Sequence, residues 1–372
     1  MCGRYALGIS IENLPQQFNE NVLHPDQSTD LTEQTDHEIA PNSLLEKRYE
    51  TTASVSGTEC TIHLNVLSSG FQASYNIPPT ATGAIIYMDK HNSQNNEQEN
   101  IIYCMEPLKF GLLPVWAKPQ NSQSVKKGTG KTHGTEYSRE VQQHQAKLFN
   151  CRRETLAQAQ TVWATPRKHS RCVVPILGYF EWLNTEQGKV PYFVHLPTSP
   201  LLFLAGLYSH NHNYNDTEMV PLGAKHFSSF SIVTGPASGK GKNDMLWLHS
   251  RKPIFIEPNS KAWFDWLRPD DVWDEQILQS CLNTDTNPVY ESLRWHTVAK
   301  SVGNPKNKCL DVIEEENVKQ RPISSFFQTK KEAKPEPKSE GIAKCDDTGE
   351  SSLTRKRKLD SDEEKTKKMK KE

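Results

Sequence analysis

The 372-residue chain contains no run of about eighteen apolar residues, which excludes a membrane-spanning helix. Its first residues lack a basic stretch followed by an apolar core, which argues against a secretory leader, so Cys2 is expected to stay at or near the mature N-terminus. Eight cysteines stand at 2, 60, 104, 151, 172, 281, 309 and 345, yet none form a C-x-x-C pair and no His/Cys cluster has zinc-finger spacing. A structural zinc is therefore not expected, and scattered free thiols fit a reducing compartment. There is no surplus of either charge, with 44 Lys and Arg against 45 Asp and Glu, so global charge selects no partner. Aromatic residues are missing from Gln328 onward, where Lys and Glu dominate; that composition cannot bury a core and is expected to be disordered. Internal repeats and long strand–helix alternation are missing too, which argues against a doubly wound sheet.

What is present is a series of short apolar segments bounded by Pro, Gly, Ser and Asn. RCVVPILGYFEW, PYFVHLP, LLFLAGLY, SSFSIVTG and KPIFIEP each read as a strand, with few helices between them. This pattern predicts an α+β fold with a largely antiparallel, barrel-like β core and short flanking helices. One helix is expected around IENLPQQF. Two polar stretches, at about 21–70 and 119–145, read as insertions or long loops. The ordered domain is expected over 2–315 and a disordered tail over 316–372.

Four places carry candidate chemistry. In GYFEWLN, strand alternation sets Phe180 and Trp182 on one face and Tyr179, Glu181 and Leu183 on the other. Glu181 is then either a solvent-facing carboxylate on a half-buried strand, or a proton-transfer group in a pocket whose apolar walls would raise its pKa. In MLWLHSRKPIF an extended backbone would put His249 and Arg251 on one face, suiting one to protons and the other to an anion such as phosphate. A lone histidine can equally be a structural residue. His210 and His212 in SHNHNYN have no carboxylate at ligand spacing and read as surface residues. FNCRRETL offers Asn150 to orient a polar substrate and Arg152 and Arg153 to bind phosphate.

Cys2 differs in kind. If Met1 is removed, one residue carries a free α-amine and a thiol on adjacent carbons, and the amine pKa of about 7.7–8.0 leaves a nucleophilic fraction near neutrality. Such a group can condense with an aldehyde to an imine, after which the thiol closes a five-membered thiazolidine. Alternatively the thiol alone could serve as a hydrolytic nucleophile. Gly3 would let the backbone bend, and Arg4 could hold an anion beside the nucleophile.

MCGRY, SYNIPPT, LKFGLLPVWAK, FNCRRETL, CVVPILGYFEW, AGLY, SFSIVTG and LHSRKP occur in the order found in the SOS response-associated peptidase (SRAP) family, which this chain resembles over roughly residues 2–315. The resemblance points to a eukaryotic, fungal member. It implies that Cys2 forms a thiazolidine with the open-chain aldehyde of an abasic site in single-stranded DNA. Asn150 would hold the sugar, and Glu181 and His249 would form the acid/base pair. Arg4, Arg152 and Arg251 would contact flanking phosphates, and Trp116 would pack near the bases. Phe110 stands where many members carry tryptophan. No cofactor or metal is implied, nor a membrane, and a monomer is expected.

The tail has motifs of its own. Gln320, Ile323, Phe326 and Phe327 fit Q-x-x-[aliphatic]-x-x-F-F and resemble the PIP-box that docks on the sliding clamp PCNA. RKRK at 355–358 and KTKKMKK at 365–371 resemble a bipartite nuclear-import signal. Together they imply a nuclear protein at replication forks that shields abasic sites by cross-linking to them. A cysteine peptidase using Cys2 autoproteolytically and a non-catalytic reader of modified DNA bases are the competing readings. The first predicts turnover of an external peptide, the second indifference to loss of the Cys2 thiol.

Overall fold

The computed structural model describes residues 3–25, 31–34, 46–55, 57–67, 71–89, 100–119, 141–158, 160–197, 199, 201–215, 217, 219–220, 224–240, 243–268 and 273–316. Cys2, Gln320, Ile323, Phe326, Phe327 and the basic segments at 355–371 lie outside the described residues. The chain divides into two units, 1–317 and 318–372, and all described residues fall in the first.

Among the described residues, fifteen strands run in the order β1 (Tyr5–Leu7), β2 (Thr32–Gln34), β3 (Lys47–Val55), β4 (Thr58–Val66), β5 (Ser74–Ile77), β6 (Thr82–Met88), β7 (Asn100–Phe110), β8 (Asn150–Arg152), β9 (Arg171–Ile176), β10 (Gly178–Thr185), β11 (Gly188–His195), β12 (Leu202–Asn211), β13 (Phe227–Pro236), β14 (Arg251–Pro253) and β15 (Arg294–Thr297). They form a five-stranded sheet, β15-β11-β10-β1-β5, and a ten-stranded sheet. In the larger sheet β13-β12-β9-β6-β7 pair in series, and β7 returns to β13 through Ser229↔Lys109 and Phe230↔Phe110. That return closes a five-strand circuit, which is the expected barrel-like core. Most pairings are antiparallel; β4–β7, β7–β13 and β8–β13 are parallel. The fold is α+β, and the helices lying wholly among the described residues are short, such as Leu14–Phe18 and Lys261–Leu267.

Aromatic rings fill the barrel. Phe110 stacks on Phe230 at 5.2 Å and meets Tyr5 and Phe149 edge-on at 5.5 and 5.9 Å. Phe110 is therefore wholly internal and has no surface from which to wedge into DNA. A fully buried ring of this size contributes roughly 1.5–3 kcal/mol through lost contact with water. A second, smaller core joins Ala6, Phe180, Phe193, Val298, Val302 and Val312 behind the five-stranded sheet. Phe180 and Trp182 pack on that core, whereas Tyr179 and Leu183 face the main one, so the alternation read from GYFEWLN holds.

The polar stretch at 21–70 departs from its reading as a long loop. A nine-residue strand pair, β3 and β4, occupies residues 47–66, and β4 lies parallel to β7 inside the larger sheet. Cys60, Ile62, Leu64 and Val66 alternate inward and are buried, while Thr61, His63 and Asn65 intervene. A two-residue apolar period thus hides in a polar composition. Gly57, at φ +87°, lies in the turn between the strands, a backbone setting that other residues resist. Of the second polar stretch, 119 and 141–145 are described, and 141–145 is helical.

Candidate active site

Strand β8 lies parallel to β13 with Ile232↔Asn150, Val233↔Cys151 and Thr234↔Arg152. Alternation sends the Cys151 side chain into the core and puts Asn150 and Arg152 on the opposite face. Burial pushes the Cys151 thiol well above its ordinary pKa, so it does not compete as a nucleophile. Asn150 is half-buried, and neither atom of its amide head has a hydrogen-bond partner. Most buried polar groups are satisfied, and leaving one unpaired costs about 1–3 kcal/mol. Arg152 is exposed and free to meet solvent or an anion.

On the other side of β13 stands β14, with Thr234↔Pro253 and Pro236↔Arg251. The Arg251 guanidinium donates to both carboxylate oxygens of Glu154, at 2.9 and 3.0 Å, and to the Thr234 carbonyl at 2.8 Å. The hydrogen bonds from Arg251 hold the Glu154 carboxyl below its ordinary pKa. Arg251 is thus set in place through its two Nη atoms, while its Nε has no hydrogen-bond partner. Glu154 is a partner of Arg251 that the sequence does not single out, although it stands inside the NCRRE run.

His249 precedes β14. Its Nδ1 lies 2.9 Å from the Arg251 backbone nitrogen and 3.2 Å from the Arg251 carbonyl oxygen, so the ring is anchored to the start of β14 through Nδ1. The turn before it is pinned by a buried ion pair in which Lys252 Nζ lies 2.7 Å from Asp244 Oδ2 and donates to the Thr284 carbonyl at 2.8 Å. Lys252 also sits 3.7 Å from the centre of the Tyr290 ring. Burial lowers the Lys252 pKa, partly offset by Asp244. These residues carry no motif and were not legible as site residues.

Glu181 is buried, not solvent-facing, and its Oε1 accepts from the Trp182 N–H at 3.3 Å. It lies on β10 opposite Tyr192, and cross-strand partners project from one face. Tyr192 meets Trp247 edge-on at 5.1 Å, which brings the turn carrying His249 against the Glu181 strand. Along the other edge of β10, β1 pairs through Tyr5↔Tyr179, and the Phe180 N–H donates to the Arg4 carbonyl at 2.8 Å. Continued one residue, this register sets Gly3 opposite Glu181.

Arg4 does not point to solvent as a phosphate-binding group would. Its Nη1 donates to Asn76 Oδ1 and to the Val302 carbonyl, both at 2.9 Å, and its guanidinium lies 5.8 Å from the Trp182 ring centre. Burial lowers its pKa. Trp116, by contrast, is 63% exposed. Its loop is fixed by Asn211 Nδ2 donating to the Pro114 and Ala117 carbonyls, and by Asn213 Nδ2 donating to Val115. His210 departs from its surface reading, because its Nε2 lies 3.0 Å from buried Glu106, a carboxylate distant in sequence. His226 nearby is pushed down to about 4 by burial and by the adjoining His212 and His210. Among the described residues no group of three His, Cys, Asp or Glu is arranged to hold a metal ion, and no helix is long and apolar enough to cross a membrane.

Residues 1–305 match the model for SOS response associated peptidase (SRAP), and the chain belongs to that family. Among its relatives is the abasic site processing protein YMR114C of Saccharomyces cerevisiae, 26% identical over 308 residues, covering 82% of this chain and 66% of that protein. The abasic site processing protein HMCES of Gallus gallus is 23% identical over 264 residues, covering 66% of this chain and 67% of its own length. YoqW of Bacillus subtilis, also named an abasic site processing protein, is 26% identical over 246 residues and is covered over 87% of its length, against 66% of this chain. The chain thus spans about two thirds of the length of the two eukaryotic relatives.

Proposed function

We propose that this protein processes abasic sites in single-stranded DNA by cross-linking to them through Cys2. The observation that carries the reading is the unpaired, buried amide of Asn150 beside the exposed Arg152. A buried polar head that no protein group satisfies suits a role in which its partners come from substrate, here the hydroxyls of an opened sugar. The register of β1 on β10, which leads toward Glu181, and the relatives' names support the same reading.

The chemistry follows from the groups. With Met1 gone, the Cys2 amine adds to the sugar aldehyde, and loss of water gives an imine. The thiol then adds to the imine carbon while the nitrogen takes up a proton, closing the thiazolidine. Water must leave and protons must move twice, which are roles for Glu181 and His249. Arg152 and Arg251 would hold flanking phosphates, and Trp116 a base. In the tail, Gln320, Ile323, Phe326 and Phe327 would dock on PCNA and the basic segments would direct nuclear import, placing the activity at replication forks.

The test is recombinant protein mixed with an abasic single-stranded oligonucleotide. A heat-stable adduct should form without borohydride, and intact mass should show loss of Met1 and gain of the oligonucleotide. Cys2→Ala should abolish the stable species; an equally stable adduct from that variant would overturn the proposal. The word peptidase in the family description favours a second activity, removal of the residue ahead of Cys2, and turnover of an external peptide that Cys2→Ala blocks would extend it to other substrates.

A further inference from the structure

Besides Trp116, the large apolar side chains exposed among the described residues include Leu246 and Trp247, at 46% and 42%. Neither has a role in the site as built so far. They sit side by side on the turn ahead of His249, between Met245 and Leu248, both of which are buried. The turn is forced into this form. Asn243 and Met245 adopt φ of +59° and +67°, a region that L side chains rarely enter. Asn243 Nδ2 donates to the carbonyls of Glu291 and Leu293 at 3.0 and 3.2 Å, and Asp244 is locked to Lys252. Rigid anchors on both sides therefore present two apolar side chains outward.

Trp247 is supported from beneath the site. It lies edge-on to Tyr192 at 5.1 Å and 5.5 Å from Trp295, and Tyr192 projects from the same face as its cross-strand partner Glu181. An exposed indole is thus fixed two residues from His249 and one ring away from the Glu181 row.

We propose that Trp247 is a stacking platform for the unpaired base next to the abasic nucleotide. This inference rests on the abasic-site reading above. A nucleotide that has lost its base offers no base edge to recognise, so grip on the strand must come from its phosphates and from neighbouring bases. Aromatic stacking suits this because every base has a π-face, so binding is tolerant of sequence. The exposed Arg152 supplies the complementary charge for the backbone. A fixed ring also rejects duplex DNA, in which the neighbouring base is already stacked and paired.

The experiment uses the full-length protein and single-stranded oligonucleotides carrying tetrahydrofuran, an abasic analogue without an aldehyde, with fluorescent 2-aminopurine on its 5′ or 3′ side. Binding should quench 2-aminopurine at one of the two positions. Trp247→Ala should remove that quench and weaken affinity roughly tenfold, the loss expected for one base stack. Trp247→Phe should restore both to within about threefold, which separates stacking from a damaged fold. Unchanged quench and affinity in Trp247→Ala, or a Phe variant as weak as the Ala variant, would overturn the inference. If the wild type still cross-links a natural abasic site, that result leaves the underlying reading standing. Failure of the wild type to bind or cross-link either oligonucleotide overturns both.

Discussion

Three arginines in the candidate site have different surroundings, and this decides what each can do. Arg152 is exposed, Arg251 is clasped by Glu154 and Thr234, and Arg4 is folded back on Asn76 and Val302. Binding of single-stranded DNA releases counterions in proportion to the phosphates neutralised, with a log–log salt slope of about −0.7 per contact. Titrating affinity against salt, Arg152→Gln should make the slope shallower by about 0.7, the loss of one such contact. Arg4→Gln should instead leave the slope alone and lower the denaturation midpoint, by about 1–3 kcal/mol of lost buried hydrogen bonding. At this scale the sequence was informative about residue type and silent about partners. Asn150, Glu181 and His249 could be nominated as candidates because their types suit proton and sugar chemistry. Glu154 on Arg251 and Glu106 on His210 were not, because each pair joins residues about a hundred positions apart in the chain.

At the scale of elements, the turn before β14 depends on one ion pair. Lys252 and Asp244 are almost wholly buried, and removing one charge strands the other. Lys252→Met should therefore destabilise the protein by about 3–5 kcal/mol in denaturant unfolding, whereas replacing both residues with apolar ones of similar size should recover most of the loss. Burial works to raise the Asp244 pKa, but the hydrogen bonds from Lys252 Nζ and the Gly239 N–H outweigh it, and the net shift is downward. An acid depressed in the native state stabilises above its unfolded pKa and loses that contribution as pH falls. The stability carried by Asp244 should thus be intact above about pH 4 and decline below it, and Asp244→Asn should flatten that limb of a stability–pH curve. The strand GYFEW was legible because its apolar residues are dense on both faces. The β3–β4 pair was not, because its outward face is so polar that composition masked the period.

Across the whole molecule, residues beyond the family match complete the fold. The match ends at 305, yet Tyr75 N–H donates to the Lys308 carbonyl, His296 Nε2 lies 2.8 Å from the Ile313 carbonyl, and Val312 fills the smaller core. Asn76 is the clasp: its Nδ2 lies within hydrogen-bond reach of the carbonyls of Val302, Asn304 and Asn307, at 3.1, 3.1 and 2.7 Å, and its Oδ1 accepts from Arg4. Asn76→Ala should lower stability by about 2–4 kcal/mol, since several buried groups lose their partner together. Hydrogen exchange should show protection lost at both Arg4–Leu7 and 302–313, and loss confined to one segment would show that they are not joined through this residue.

The position of β1 also orders events in time. It is an interior strand of its sheet, between β5 and β10, and β10 begins only at Gly178. Pairing with β5 alone gives a two-stranded ribbon, which is marginal in water. While the ribosome makes the stretch from Leu7 to Gly178, roughly ten to thirty-five seconds at ordinary synthesis rates, β1 lacks its second partner. Throughout that interval β1 therefore stays a strand with one free edge, and its pairing with β10 forms only afterwards.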